Sequence, residues 1–152
     1  MNKKILLILL IISVIINSIL GFCLYNTIST YNNQELKEEL IETIEASDNT
    51  IEMLSFYKTQ LAMETITQND YSLELKELSE IHLTLITLIQ EKDYKRMNDI
   101  KDKTLLFLNE RKKIFDNLKS AIDLDSSNYY NVAASAEEKA NELLKELNIL
   151  LN

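Results

Sequence analysis

Proline is absent from the 152 residues, and the single glycine is Gly21. Tight β-turns and glycine-rich phosphate loops depend on these two residues for their special backbone angles, so neither is expected beyond Gly21. That predicts an all-α chain. Tryptophan is also absent, and Cys23 is the only cysteine, which excludes an intramolecular disulfide. His82 is the only histidine. Zinc sites draw on several His or Cys ligands, and di-iron bundles on Glu-x-x-His pairs. The residue three before His82 is Ser79, so no metal site is expected. One imidazole and no elbow glycine argue equally against a serine-based triad. Carboxylate pairs such as Glu38/Glu42 and Glu138/Glu142 have the i,i+4 spacing of a solvated helix face. The expectation is a non-enzymatic protein without cofactor. Basic residues are scarce as well, 16 against 24 acidic, for a formal charge of −8. Nucleic acid and anionic lipid surfaces bind basic patches, so both are disfavoured as partners.

What the chain does have is one uncharged apolar run, ILLILLIISVIINSILGFCLY, at residues 5–25. As a helix it would be about 31 Å long, close to the ~30 Å hydrocarbon core of a bilayer. Lys3 and Lys4 precede it, and the next basic residue is Lys37. Positive charge stays on the cytoplasmic side, so residues 1–4 are expected inside and the remainder outside, at the cell membrane. A cleaved signal peptide is the rival reading. The run exceeds the ~7–15 residues of a usual signal-peptide core, and no A-x-A-like site follows it. Phe22, just before Cys23, is too large for lipoprotein processing, so Cys23 reads as an apolar residue of the span.

Residues 26–33 form a polar connector, and residues 34–152 read as four amphipathic helices. Helix A is expected over 34–67, with the seam Leu40, Ile44, Ser47, Ile51, Leu54, Lys58, Leu61 and Thr65 at alternating steps of four and three. The Ser-Asp-Asn-Thr stretch at 47–50 is its weak point, because such side chains compete for backbone hydrogen bonds. A turn at 68–70 leads to helix B, 72–90, apolar nearly all round and therefore suited to a core or an interface. Asp93 would cap helix C, 94–124, and a turn at 125–128 would open helix D, which ends at Leu151. Short connections make sequential helices antiparallel, giving an up-down-up-down four-helix bundle behind an N-terminal transmembrane helix. Helix A exceeds helix B by about 15 residues, or about 22 Å. Either its first part is a stalk or it bends at 47–50. Apolar Leu36, Leu40, Ile41 and Ile44 would then need cover from the end of helix D or from a second copy, and self-association is expected.

Three basic or titratable residues, Lys58, His82 and Arg111, interrupt otherwise apolar seams. Counted from the expected A/B and C/D turns they fall in one layer with Ala140, about 16–23 Å from the bundle tip. Together they form a candidate site for a small anion such as a carboxylate. The competing reading has the two long cations snorkelling outward, towards Glu138, Glu142 or solvent, with His82 satisfied in the core. Tyr71, Tyr129 and Tyr130 flank the two far turns and are candidate partner contacts, since tyrosine is enriched at interfaces. The competing reading makes them ordinary caps of the core's end.

An apolar run at 5–25 followed by a heptad-rich bundle resembles the extracytoplasmic four-helix sensor region of bacterial chemoreceptors and sensor kinases. The resemblance rests on this pattern, and the sequence stops at Asn152, short of that family's second span and signalling region. It implies a sensing or binding module and transfers no ligand residues. The leading expectation is a membrane-anchored scaffold or interaction module for another envelope protein. A small-ligand binding domain and a secreted helical protein are the alternatives.

Overall fold

The computed structural model describes residues 3–92, 94 and 97–152, with side chains from residue 33 onward. It contains two compact units, Met1–Leu36 and Lys37–Asn152. The first unit holds only the beginning of helix α1 (Lys3–Ala62). The expected span at 5–25 lies outside the residues whose side chains are described. Among the described residues no helix is long and apolar enough to cross a membrane.

The second unit is all-helical, without strands among the described residues. It packs the remainder of α1 with α2 (Gln68–Glu91), α3 (Asn98–Asp123) and α4 (Ser127–Leu151). Ser72 donates to Asp123 and Ser79 to Asp116, seven residues up α2 against seven down α3, which fixes the pair as antiparallel. Ser47 meets His82 and Glu39 meets Lys92, so α1 and α2 run antiparallel in the same way. Within this unit α1 is about as long as α2, α3 and α4, at 24, 26 and 25 residues. There is no stalk at 37–46: Leu40 and Ile44 are buried in the core. Leu144 and Leu151 of α4 line a groove with Ile41 and Ile44, so the end of α4 supplies the cover those residues need.

Nor does α1 break at 47–50. The hydroxyls that could compete with the helix are used without opening it. Thr43 and Thr50 donate to the carbonyls of Glu39 and Ser47, and Ser47 turns its oxygen to His82.

The first turn lies earlier than expected. Residues 68–70 are already helix, and the chain reverses at 63–66. Thr65 N–H donates to the Gln60 carbonyl and Glu64 takes φ 56°, a left-handed helix ending normally given to glycine. Thr67 then caps α2. Its hydroxyl accepts from Asp70 N–H while the Asp70 carboxylate accepts from Thr67 N–H, a reciprocal pair that satisfies both ends. A second left-handed residue, Asp125 at φ 48°, ends α3, with Ser126 N–H on the Ala121 carbonyl. Helix α4 starts directly at Ser127.

Helix α3 starts at Asn98, four residues later than the expected 94. Asp93, expected as its cap, lies outside the described residues. The reason for the late start is Tyr94, which is drawn fully into the core as non-helical chain. Lys101 stands 5.5 Å above the Tyr94 ring and donates to the Gln90 and Lys92 carbonyls, binding the connection to α3. Burial pushes the Tyr94 phenol up to about 12, with Glu39 adding to the effect.

Towards the 63–66 and 124–126 turns the core is apolar. Leu54, Leu75, Leu78, Ile114, Phe115, Leu118, Ala133 and Ala136 pack there together with Tyr71. A buried side chain of this size contributes about 1.5–3 kcal/mol. Helix α3 buries Thr104, Phe107, Arg111, Ile114, Leu118 and Ala121 at seam spacing, and α4 buries Ala133, Ala136, Ala140 and Leu147. At the end of α4 the spacing points to Leu150, which is 47 % exposed, and Leu151 is buried instead. On α2, however, Ile81, Leu83 and Leu88 remain exposed.

Candidate functional site

The interruptions of the apolar seams converge only in part. His82 is fully buried and Arg111 is 4 % exposed, whereas Lys58 is exposed on α1. The structure therefore brings His82 and Arg111 into the interior and leaves Lys58 out.

His82 is held from both sides. Its Nδ1 lies 3.0 Å from the Leu78 carbonyl and its Nε2 lies 2.8 Å from Ser47 Oγ. A carbonyl can only accept, so Nδ1 carries the proton. Nε2 of the neutral ring is then an acceptor, and Ser47 donates to it. The ring also lies 5.0 Å from the Phe115 ring, tilted at 42°. Burial drives the imidazole pKa down to about 4, with Arg111 and Lys112 pushing the same way against the Leu78 carbonyl and Asp116. At neutral pH this histidine is uncharged and its hydrogen-bonding capacity is fully taken up.

Arg111 reaches Asp48 of α1, Nη2 to Oδ1, at 3.0 Å. Its guanidinium lies 5.2 Å from the Phe107 ring centre, within range of a cation–π contact. Burial lowers its pKa, and the Asp48 carboxylate opposes that shift. Asp48 is 43 % exposed, so the pair has one buried and one wetted end. Arg111 Nε is buried with no hydrogen-bond partner among the described residues. The expected outward partners were Glu138 and Glu142; the observed one is Asp48, on another helix. Its position one residue after seam residue Ser47 is the only sequence signal for it.

Next to this layer, Asp116 accepts from Ser79 and, at 2.6 Å, from Lys112. Ala140, the small residue expected at this level, is fully buried. As a whole the layer can fix register and exclude mispacking, because the Ser47–His82, Asp48–Arg111 and Ser79–Asp116 contacts each join two helices. A groove of about 190 Å³ opens between α1 and α4, lined by Ile41, Glu45, Asp48 and Leu144 among others. A shallower one of about 430 Å³ lies between α3 and α4, beside Lys113, Val132 and Lys139. Neither has Lys58, His82 or Arg111 in its wall. Among the described residues no three His, Cys, Asp or Glu side chains are grouped to hold a metal ion.

The tyrosines also separate. Tyr71 is buried within the apolar core, and burial raises its phenol to about 12. Tyr130 is half exposed and Tyr129 partly buried. Of the three candidate contacts, Tyr71 is thus placed to support the fold, and Tyr130 is the one most open to solvent. No family model, no curated protein and no solved structure matches this chain.

Proposed function

We propose that this chain is a single-span membrane protein whose outer four-helix bundle is a non-enzymatic interaction or scaffold module of the bacterial cell envelope. One observation carries the reading. The charge-free run at 5–25, behind Lys3 and Lys4, is joined to a bundle whose buried imidazole and guanidinium are used in helix-to-helix pairing. A span with basic residues on one side orients such a bundle outward. A core whose Ser47–His82 and Asp48–Arg111 contacts are spent between helices leaves the surface to carry the function, in the manner of the extracytoplasmic sensor bundles the sequence resembles. The partner is another envelope protein, with Tyr129 and Tyr130 among the available contacts.

Two measurements test this. A Ser127→Cys substitution in a Cys23→Ser background is expected to react with a membrane-impermeant maleimide on intact cells. Cross-linking in those cells is expected to capture a heterologous partner, and monomer alone would count against the module. A mature N-terminus beginning beyond residue 25, read by mass spectrometry, would replace the anchored form with a secreted one.

A second reading, a small-anion sensor, has one observation in its favour: the buried, unpartnered Nε of Arg111. A carboxylate ligand would compete with Asp48 for this guanidinium. Calorimetry against small organic anions decides it, since heat abolished by Arg111→Ala supports the sensor and a flat titration removes it.

A further inference from the structure

The outward face of α1 carries a second stripe that the fold does not use. Asn49, Met53, Phe56 and Gln60 of α1, and Met63 at the start of the turn that follows, stand at steps of four, three, four and three, the spacing by which one helix seats another. Phe56 is 58 % exposed and Met63 70 %. Large apolar side chains grouped in this way mark interaction surfaces, whereas scattered single ones do not. From Ser47 opposite His82, each step up α1 matches one step down α2, so Phe56 comes level with Leu73, itself 54 % exposed. Leu73 is thus an exposed apolar residue of α2 at the level of the stripe.

Its surroundings are acidic. Glu52 and Glu64 flank it on α1 and the following turn, and Glu74 and Glu77 on α2. One of these carboxylates, Glu74, also takes a hydrogen bond from the Tyr57 hydroxyl. Among the described residues none of these four carboxylates is in an ion pair. The α3 side differs. There Lys103, Lys112, Lys113 and Lys119 are each matched by a carboxylate of the chain itself. A second copy would bring the same carboxylates against the stripe, and four α3 lysines able to offset them are already engaged.

We propose that the α1/α2 face around Met53, Phe56, Met63 and Leu73 docks a cationic amphipathic helix of a partner protein, its apolar side on the stripe and its lysines or arginines on the flanking glutamates. The adaptable methionines and the aromatic ring suit an apolar seam of unmatched shape. The glutamates select its charge and speed its encounter. This surface rests on the interaction-module reading and names its partner class.

The test uses the full chain in phosphatidylcholine nanodiscs, with empty discs as reference, titrated with a synthetic helix of leucine and lysine at heptad spacing. Saturable binding is expected. The Phe56→Ser, Leu73→Ser pair is expected to weaken it about tenfold or more, the loss typical of central contacts. Glu52→Lys with Glu77→Lys should weaken it several-fold and flatten its salt dependence. All four positions lie outside the buried core, and an unchanged thermal melt checks that the bundle is intact. Equal binding of a leucine–glutamate helix, or affinity unmoved by the Phe56/Leu73 pair, overturns the proposal. So does a concentration-dependent dimer that Phe56→Ser dissolves, which would assign the stripe to a second copy. Heterologous cross-links in cells that survive the Phe56/Leu73 pair would remove this surface and leave the module; their absence from the unmodified protein would remove the module itself.

Discussion

The two parts of the bundle interior are built on different terms. Towards the turns, Leu54, Leu75, Phe115, Leu118 and Ala133 meet as an apolar cluster in which any neighbour of similar shape would serve. The layer of Ser47, His82 and Arg111 is joined by specific polar pairs, the 2.8 Å contact from Ser47 to His82 and the 3.0 Å contact from Arg111 to Asp48. Apolar burial scales with area and is indifferent to register. Paired polar groups contribute little net stability, yet a slipped helix would leave them unsatisfied at a cost of about 1–3 kcal/mol each. The contrast separates what stabilises the bundle from what selects its arrangement.

Phe115 belongs to both parts, since its ring sits in the apolar cluster and against His82. Phe115→Ala should therefore produce the largest effect, a loss of about 3–5 kcal/mol in urea unfolding. A loss no larger than that of a surface substitution would show that the apolar part is not the main source of stability.

The polar layer should reveal itself through pH. The His82 pKa falls from 6.5 in the unfolded chain to about 4 in the bundle. Between those values the unfolded state binds a proton that the native state does not, so stability drops as pH falls from about 6.5 to about 4 and levels off below. The expected loss is about 3 kcal/mol. Stability curves of the native protein and of His82→Gln should diverge across that window, with the variant the flatter. Carboxylate titration contributes to both curves and cancels in the comparison. Parallel curves would mean that His82 is not held neutral by burial.

Much of this interior was legible from residue spacing. The seams of α3 and α4 could be read because Phe107, Ile114, Leu118, Ala133 and Ala140 recur at heptad steps, and those residues are buried. His82 and Arg111 were recognisable as interruptions of an apolar stripe. Lys58 was not separable from them by pattern, because a seam position on a helix of uncertain extent does not fix its depth. Asp48 could not be paired with Arg111 either, since the contact joins α1 to α3 across 63 residues of sequence. The turn at 63–66 was hidden for a local reason: it has no glycine, and Glu64 takes the left-handed position that glycine normally announces. Tyr94 misled in the opposite direction, because an aromatic residue ahead of a helical pattern reads as its first turn until the core claims the ring.

The Arg111–Asp48 pair tests whether the layer selects arrangement or supplies stability. Removing Asp48 leaves a buried cation without its carboxylate. For fully buried pairs that costs about 3–5 kcal/mol, and because Asp48 is partly exposed a smaller loss of about 1–2 kcal/mol is expected for Asp48→Ala. Arg111→Met, which removes the charge and keeps much of the volume, should be nearly neutral alone and should rescue Asp48→Ala. Failure of that rescue would assign the loss to packing at Asp48 and not to the stranded charge.

The smallest effect should come from the turns that close the apolar end, and it should carry the opposite sign. Glu64 and Asp125 both sit at positive φ, 56° and 48°, where a Cβ approaches the carbonyl oxygen and costs about 1–2 kcal/mol. Glycine removes that clash but increases the freedom of the unfolded chain, so the net gain for Glu64→Gly should be about 0.5–1 kcal/mol. Aspartate tolerates the left-handed region better than glutamate, because its short side chain can hydrogen-bond locally. Asp125→Gly should therefore gain less. Equal gains at the two sites would mean that steric relief alone governs both turns, and a loss at Glu64 would mean that its side chain holds the end of α1 through a contact worth more than the clash it tolerates.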